Sequence, residues 1–158
     1  MATDTGLSHL LWPNQDHTDQ LAALEQAPDH PVLKAAAAQL GEYFAGGRQT
    51  FDVPLDLLGT PFQLQVWTVL QTIPYGQTRT YGDQARLLGD VKKTRAVGVA
   101  NGQNPVSIIV PCHRVIGQDG SLTGFGGGLA TKEYLLALEQ GRAPDALQEW
   151  EQADLFGG

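Results

Sequence analysis

Apolar side chains recur at helical spacing through Leu33, Ala36, Ala37, Leu40, Tyr43 and Phe44, and the run is punctuated at both ends. Asp29 stands where a cap is needed, Pro31 suits a first turn and Gly46-Gly47 stops the run, so an amphipathic helix is predicted between them. Phe51, Val53, Leu55 and Leu57 then alternate with Asp52, Pro54 and Asp56. That is the period of a half-buried strand, and Pro54 puts it at a sheet edge. Residues 1–58 therefore read as a small α/β lobe.

Gly59 opens a different texture. Thr60-Pro61 is a cap followed by a first-turn residue, and Phe62, Val66, Trp67, Leu70 and Ile73 follow at helical spacing. Thr80 caps a second helix that carries Tyr81, Ala85, Leu87 and Leu88 and breaks at Gly89. After Asp90-Val91 a short helix from about Lys93 to Ala100 is built mainly of Ala, Val and Gly. Two short helices around a tight, glycine-containing turn predict a helix-turn-helix. Residues Val106–Val110 are β-branched and apolar, which predicts a buried strand running into Pro111-Cys112-His113-Arg114. Asp119-Gly120 signals a hairpin between Val115-Ile116 and the residues around Leu122, and Gly124–Gly128 supply a flexible segment. A last helix is predicted from about Thr131 to Gln140, ended by Gly141. The expected class is α+β: an α/β lobe (1–58), a mainly helical domain (59–142) and an acidic tail (143–158).

Composition permits an ordinary core: 158 residues at 42% hydrophobic content bury enough surface to fold unaided. Charge first points away from nucleic acid, because 17 acids against 10 bases leave a net charge of −7. Divided along the chain, the charge is −6 over residues 1–58, +3 over 59–142 and −4 over 143–158. The acidity thus lies outside the block that holds the helix-turn-helix. No apolar stretch approaches the roughly 18 residues of a membrane span, and the first eleven residues lack the basic start of a secretory signal, so a cytoplasmic protein is expected. The single cysteine, Cys112, excludes an internal disulfide and a multi-cysteine zinc site and fits a reducing compartment. His9, His17 and His30 are scattered without ligand spacing, so no metal is expected.

A lone cysteine is most often a small buried hydrophobe. Here Pro111 stiffens one side, while His113 and Arg114 add a base and a fixed positive charge on the other. Neighbours on an extended strand face opposite ways, so His113 serves Cys112 only at a bend or through a bridging water, and the sequence leaves both open. A carboxylate should orient the base, and Glu133 and Glu139 both stand on the last helix. Periodicity does not choose between them. Asn104-Pro105 reads either as a turn or as a brace for the nucleophile loop.

Asn104-Pro105, the hydrophobic run after it, Pro111-Cys112-His113-Arg114-Val115-Ile116-Gly117, the glycine loop, and Lys132 through Glu139 together resemble the O6-alkylguanine-DNA alkyltransferases. The similarity runs from about Thr60 to Gly141. It implies a ribonuclease H-like amino-terminal lobe and a winged helix-turn-helix-like catalytic domain. It further implies a DNA-repair protein that binds duplex DNA in the minor groove as a monomer and flips out the damaged guanine. The O6-alkyl group then passes irreversibly to the cysteine, with O4-alkylthymine as a second candidate substrate. By the same resemblance Cys112 is the acceptor, His113 the water-mediated base and Glu139 the carboxylate that orients it. Asn104 organises the hinge, and Tyr81 donates to the guanine ring as its oxygen leaves.

Arg95 is implied to fill the gap left by the flipped base, with Thr94, Ala96, Gly98 and Ala100 on the same DNA-contacting helix. Val115, Phe125 and Gly126 join Tyr81 around the substrate. No cofactor is implied. Phe125 stands where the family usually has tyrosine and Gly126 where serine or alanine is common, which implies a more mobile loop and an altered alkyl preference. Three other readings compete, and one of them, a structural DNA-binding domain with a buried thiol, leaves the Glu139 match unexplained. A lesion-binding alkyltransferase-like module lacks the cysteine, and a Cys-His hydrolase explains neither the helix-turn-helix nor Arg95.

Overall fold

The computed structural model describes residues 1–22 and 24–142, so the acidic tail lies outside the described residues. In the amino-terminal lobe, α1 (Thr18–Ala22) precedes α2 (Pro31–Phe44). The cap of α2 is His30, not the expected Asp29: its ring nitrogen accepts from Val32 N–H, one residue closer to the Pro31 start. No strand forms at Phe51–Leu57. Leu55 makes one isolated bridge to Leu7, and Val53 is buried, so the alternating pattern registers an extended segment with one face inward but no ladder.

The second domain follows its punctuation closely. Helix α3 (Pro61–Leu70) and helix α4 (Tyr81–Leu87) each begin with a reciprocal capping box, Thr60 with Gln63 and Thr80 with Asp83. Gly59 leaves room for the Trp67 indole: a Cβ there would lie 2.7 Å from the ring. A 3-10 turn (Val91–Lys93) leads into α5 (Thr94–Gly102), which begins one residue later and ends two residues later than expected. Helices α4 and α5 are locked by a buried amide pair, Gln84 Nε2 to Asn101 Oδ1 at 2.9 Å and Asn101 Nδ2 to Gln84 Oε1 at 2.8 Å. Trp67 Nε1 donates to Ala100 O at 2.9 Å and ties α3 to the same corner. The helix-turn-helix therefore rests on satisfied buried polar groups as well as on apolar packing.

The expected strand at Val106–Val110 is a tight loop. Val110 N–H donates back to Val106 O at 3.0 Å, and Ile108 sits at φ 76, a conformation that β-branched residues rarely adopt. The chain then makes a second 3-10 turn (Cys112–Arg114) and enters β2 (Val115–Ile116). That strand pairs in parallel with β1 (Arg79–Thr80), not with the segment after Asp119-Gly120. The expected hairpin is reduced to a turn closed by Gly117 N–H to Ser121 O at 2.8 Å. Helix α6 (Leu129–Glu139) ends at Gly141, whose φ of 72 lies in the left-handed region open to glycine.

Candidate active site

The bend that sequence left open is present. Cys112–Arg114 forms a 3-10 turn, so Cys112 and His113 are not splayed as strand neighbours would be. Asn104 holds the loop ahead of it: its Nδ2 donates to Val110 O at 2.8 Å and its Oδ1 accepts from Val106 N–H at 3.0 Å. Both ends of the strained loop around Ile108 are clamped by one side chain, which makes Asn104 the brace. Strain of this kind costs about 1–3 kcal/mol and persists only where the surroundings over-determine it.

Behind the cysteine, Glu139 gathers donors from three directions. His113 Nε2 lies 2.5 Å from Oε2, Arg114 contributes Nε to Oε1 at 2.7 Å and Nη2 to Oε2 at 3.1 Å, and Tyr43 O–H donates to Oε2 at 2.6 Å. Gly76 N–H completes the set at 3.2 Å from Oε1. Glu133 is exposed, so the open choice between the two carboxylates falls to Glu139. Burial alone would raise the Glu139 carboxyl, but the hydrogen bonds and charges of His113 and Arg114 overcome it and bring its pKa down to about 2. An ionised carboxylate can only accept, so His113 Nε2 carries the proton and Nδ1 is the basic nitrogen. That Nδ1 is buried and makes no hydrogen bond among the described residues. Burial holds the imidazole below its ordinary range, against the pull of Glu139, so the ring is neutral near pH 7 and able to take a proton.

Burial pushes the Cys112 thiol up. Hydrogen bonding from the side chains of Asn104 and Ser107, and the charge of Lys132, pull it the other way. The resting group is a thiol, and a base is needed to make it a nucleophile. Cys112 opens onto a cavity of about 150 Å³ lined by Tyr81, Asn104, Ser107, Phe125 and Gly126 from the second domain and by Trp12 and Gln15 from the first.

Most of the expected residues converge here, and some do not. Tyr81 stands at the start of α4, and its hydroxyl accepts from Thr123 Oγ1 at 3.0 Å. Phe125 packs edge-on against Trp12, ring centroids 5.5 Å apart, and Gly126 O accepts from Gln15 Nε2 at 3.1 Å, so the glycine loop is anchored to the amino-terminal lobe. Val115 does not line the cavity: its side chain is fully buried in the core and its carbonyl accepts from Lys132 Nζ at 2.5 Å. On α5, Arg95, Ala96 and Val99 face outward. Ala100 is 2% exposed and belongs to the core, because helical spacing from Val97 carries it inward. Gly98 is half-buried with the Tyr81 ring in front of it, and the Thr94 hydroxyl donates to Val91 O at 2.6 Å.

Sequence reasoning passed over Tyr43, Trp12 and Lys132 as site residues, and it read Arg114 as a charge beside the thiol where the guanidinium pairs with Glu139. Lys132 is 1% exposed, donates to Val115 O and Thr123 O, and lies 5.9 Å over the Tyr81 ring. The signal for it was there: Lys132, Leu135, Leu136 and Glu139 form one helical stripe, and a charge at each end of an apolar stripe marks a buried polar site.

A helix-turn-helix beside a buried Cys-His turn, with a His–Glu pair behind it, defines the class: a helix-turn-helix protein carrying a candidate thiol site. Two family models match the chain: the 6-O-methylguanine DNA methyltransferase ribonuclease-like domain over residues 1–57, and the DNA binding domain of the same family over residues 61–141. The methylated-DNA–protein-cysteine methyltransferase of Mycolicibacterium paratuberculosis is 58% identical over 73% of this chain and 70% of its own length. That of Methanosarcina barkeri is 53% identical over 87% and 86%. Among solved structures, a single-substitution variant of Mycobacterium tuberculosis OGT superposes with a TM-score of 0.81 at 48% identity, covering 92% of this chain and 87% of the other. The same OGT in complex with DNA gives 0.78 at 46% identity, covering 94% and 90%. The chain belongs to the 6-O-methylguanine DNA methyltransferase family of DNA-repair proteins.

Proposed function

We propose that this protein moves the alkyl group of O6-alkylguanine in duplex DNA onto Cys112, once per molecule. The observation that carries the reading is the buried chain from Glu139 through His113 to the turn that holds Cys112, at the floor of a cavity beside the helix-turn-helix. His113 Nδ1, kept free by the Glu139 carboxylate, takes the Cys112 proton through a water molecule. The thiolate attacks the alkyl carbon in line, an S–C bond forms, the C–O6 bond breaks and its electron pair stays on the guanine oxygen. The guanine anion takes up one proton from water, balancing the one passed from Cys112 to His113 and on to solvent, and the Tyr81 hydroxyl and nearby backbone N–H groups offset the charge on the way. The products are S-alkylcysteine and unmodified guanine, and because a thioether S–C bond does not hydrolyse at neutral pH, each molecule reacts once. No cofactor enters this balance.

Reaching a base inside a duplex requires flipping it out, at a cost of a few kcal/mol in stacking. Arg95, exposed near the start of α5, is suited to fill the space left behind. The small outer face of α5 suits close approach in the minor groove, where readout is degenerate and a repair protein needs little sequence preference. The division at residue 58, action as a monomer and a cytoplasmic location with access to chromosomal DNA belong to the same reading.

Incubation with duplex DNA carrying labelled O6-methylguanine tests it. One equivalent of label should appear on the peptide containing Cys112, and Cys112→Ala should lose transfer while retaining DNA binding. Label elsewhere, or many turnovers per molecule, overturns the reading.

A further inference from the structure

The amino-terminal lobe reaches the alkyl-transfer relay through one side chain. Tyr43, from the last turn of α2, is fully buried, and its hydroxyl donates to Glu139 Oε2 at 2.6 Å. The same oxygen receives His113 Nε2 at 2.5 Å. The Tyr43 ring is fixed by Phe51 at 5.5 Å, Phe44 at 5.4 Å and Tyr75 at 6.2 Å between centroids, so the hydroxyl has little freedom to leave. Burial and the Glu139 charge raise the phenol far above its ordinary range, which keeps it a donor at every working pH.

We infer that Tyr43 is a positioning residue for alkyl transfer: its hydroxyl fixes the Glu139 carboxylate against His113 and, by sharing Oε2, limits how strongly that oxygen draws the His113 proton. Oε2 spreads its charge over Tyr43, His113 and, at 3.1 Å, Arg114 Nη2, and removing the Tyr43 hydroxyl concentrates it on the other two. Without the Tyr43 hydroxyl, Glu139 stabilises the doubly protonated imidazolium more, and His113 stays charged to higher pH. A charged His113 cannot accept the Cys112 proton. The other groups facing the pair are accounted for: Arg114 from the 3-10 turn, Tyr75 and Gly76 N–H from the segment after α3, and Lys132 from α6, whose charge opposes protonation of His113. Tyr43→Phe keeps the ring that packs against Tyr75 and leaves the Arg114, Gly76 and Lys132 donors in place.

This inference rests on the alkyl-transfer reading, and the experiment separates the two. Tyr43→Phe keeps the ring and removes only the hydroxyl. Two rates are measured against pH in the intact protein: transfer from O6-methylguanine duplex, and modification of Cys112, the only thiol in the chain, by iodoacetamide. In Tyr43→Phe the acid limb of both profiles moves up, so that the rate near pH 6 falls roughly threefold while the alkaline plateau changes less than about twofold and the DNA Kd is unchanged. 3-Fluorotyrosine introduced at position 43 alone retains the fold, donates more strongly and moves the limb the opposite way; it serves if the phenylalanine variant does not fold. Coincident limbs, or a loss of rate that is the same at every pH, overturn the inference. If the wild-type protein takes no alkyl group from DNA but the iodoacetamide limb still moves, the functional reading falls and the coupling of Tyr43 to His113 stands.

Discussion

Glu139 is the residue on which most depends, and its environment makes the fold sensitive to acid. Its carboxyl is held at about 2 against an ordinary 4.5, so the folded state releases a proton that the unfolded chain keeps. That stability is present in full above pH 4.5 and is lost as pH falls toward 2, and the difference is worth about 3 kcal/mol. His113 adds to the trend with the same sign: its lowered pKa means that the unfolded chain takes up a proton first, so stability begins to fall below the ordinary value of 6.5. Denaturant midpoints measured from pH 7 to 3 should therefore drop in two stages. Glu139→Gln should abolish the lower stage and cost about 3–5 kcal/mol at neutral pH, because Arg114 is left buried without its counter-charge. An unchanged lower stage in that variant would mean that another carboxylate governs acid unfolding. At this scale Cys112 and His113 were legible from identity and adjacency. Tyr43 was not: a tyrosine on an apolar stripe is ordinary core until its hydroxyl is seen to meet a carboxylate 96 positions away.

Helix ends were the most legible elements, because a cap is a local device. Thr60 and Thr80 act as caps, each closing a box with the residue three positions on. The strands expected at Phe51–Leu57 and Val106–Val110 did not form, since a β-branched apolar run says only that a segment is buried and extended, and a ladder needs a partner that the run does not name. The loop that replaced the second strand is the more useful element: clamped by Asn104, it turns the chain so that Cys112 faces the cavity. The segment between Leu10 and α1 also had no periodicity to announce it, yet it supplies a wall of that cavity. Leu10 N–H bonds to Pro105 O at 2.8 Å, His17 Nε2 lies 2.8 Å from Trp12 O, and the Trp12 indole stacks edge-on against Phe125. This wall should limit the alkyl group. Trp12→Ala is expected to raise the rate on O6-benzylguanine relative to O6-methylguanine several-fold, as expected for space opened beside a pocket of about 150 Å³. A ratio that does not move would place the limit elsewhere.

At the scale of the whole molecule, charge has to be read through burial. Arg114 and Lys132 are taken into the interior, so the cations that the second domain offers to solvent are Arg79, Arg86, Lys92, Lys93, Arg95 and Arg142. Six cations set a ceiling on the salt dependence of DNA binding: the slope of log K against log salt should be no steeper than about −5, and shallower where Arg86 stays paired with Asp83. Binding isotherms over a sodium chloride series check this, and a steeper slope would mean that cations outside this set contact phosphate. The candidate nucleophile and base, the helix-turn-helix and the separation of acidic and basic blocks were legible along the chain, because each is written in adjacent residues or in a local period. The family resemblance had named Glu139, but its geometry against His113, the faces of α5 that are free and the joining of both lobes in one site came with the tertiary structure. Those outcomes depend on groups far apart in the chain meeting at 2.5 to 3 Å in a buried space, where a hydrogen bond forms or an unpaired charge is left, and no spacing along the chain records such a meeting.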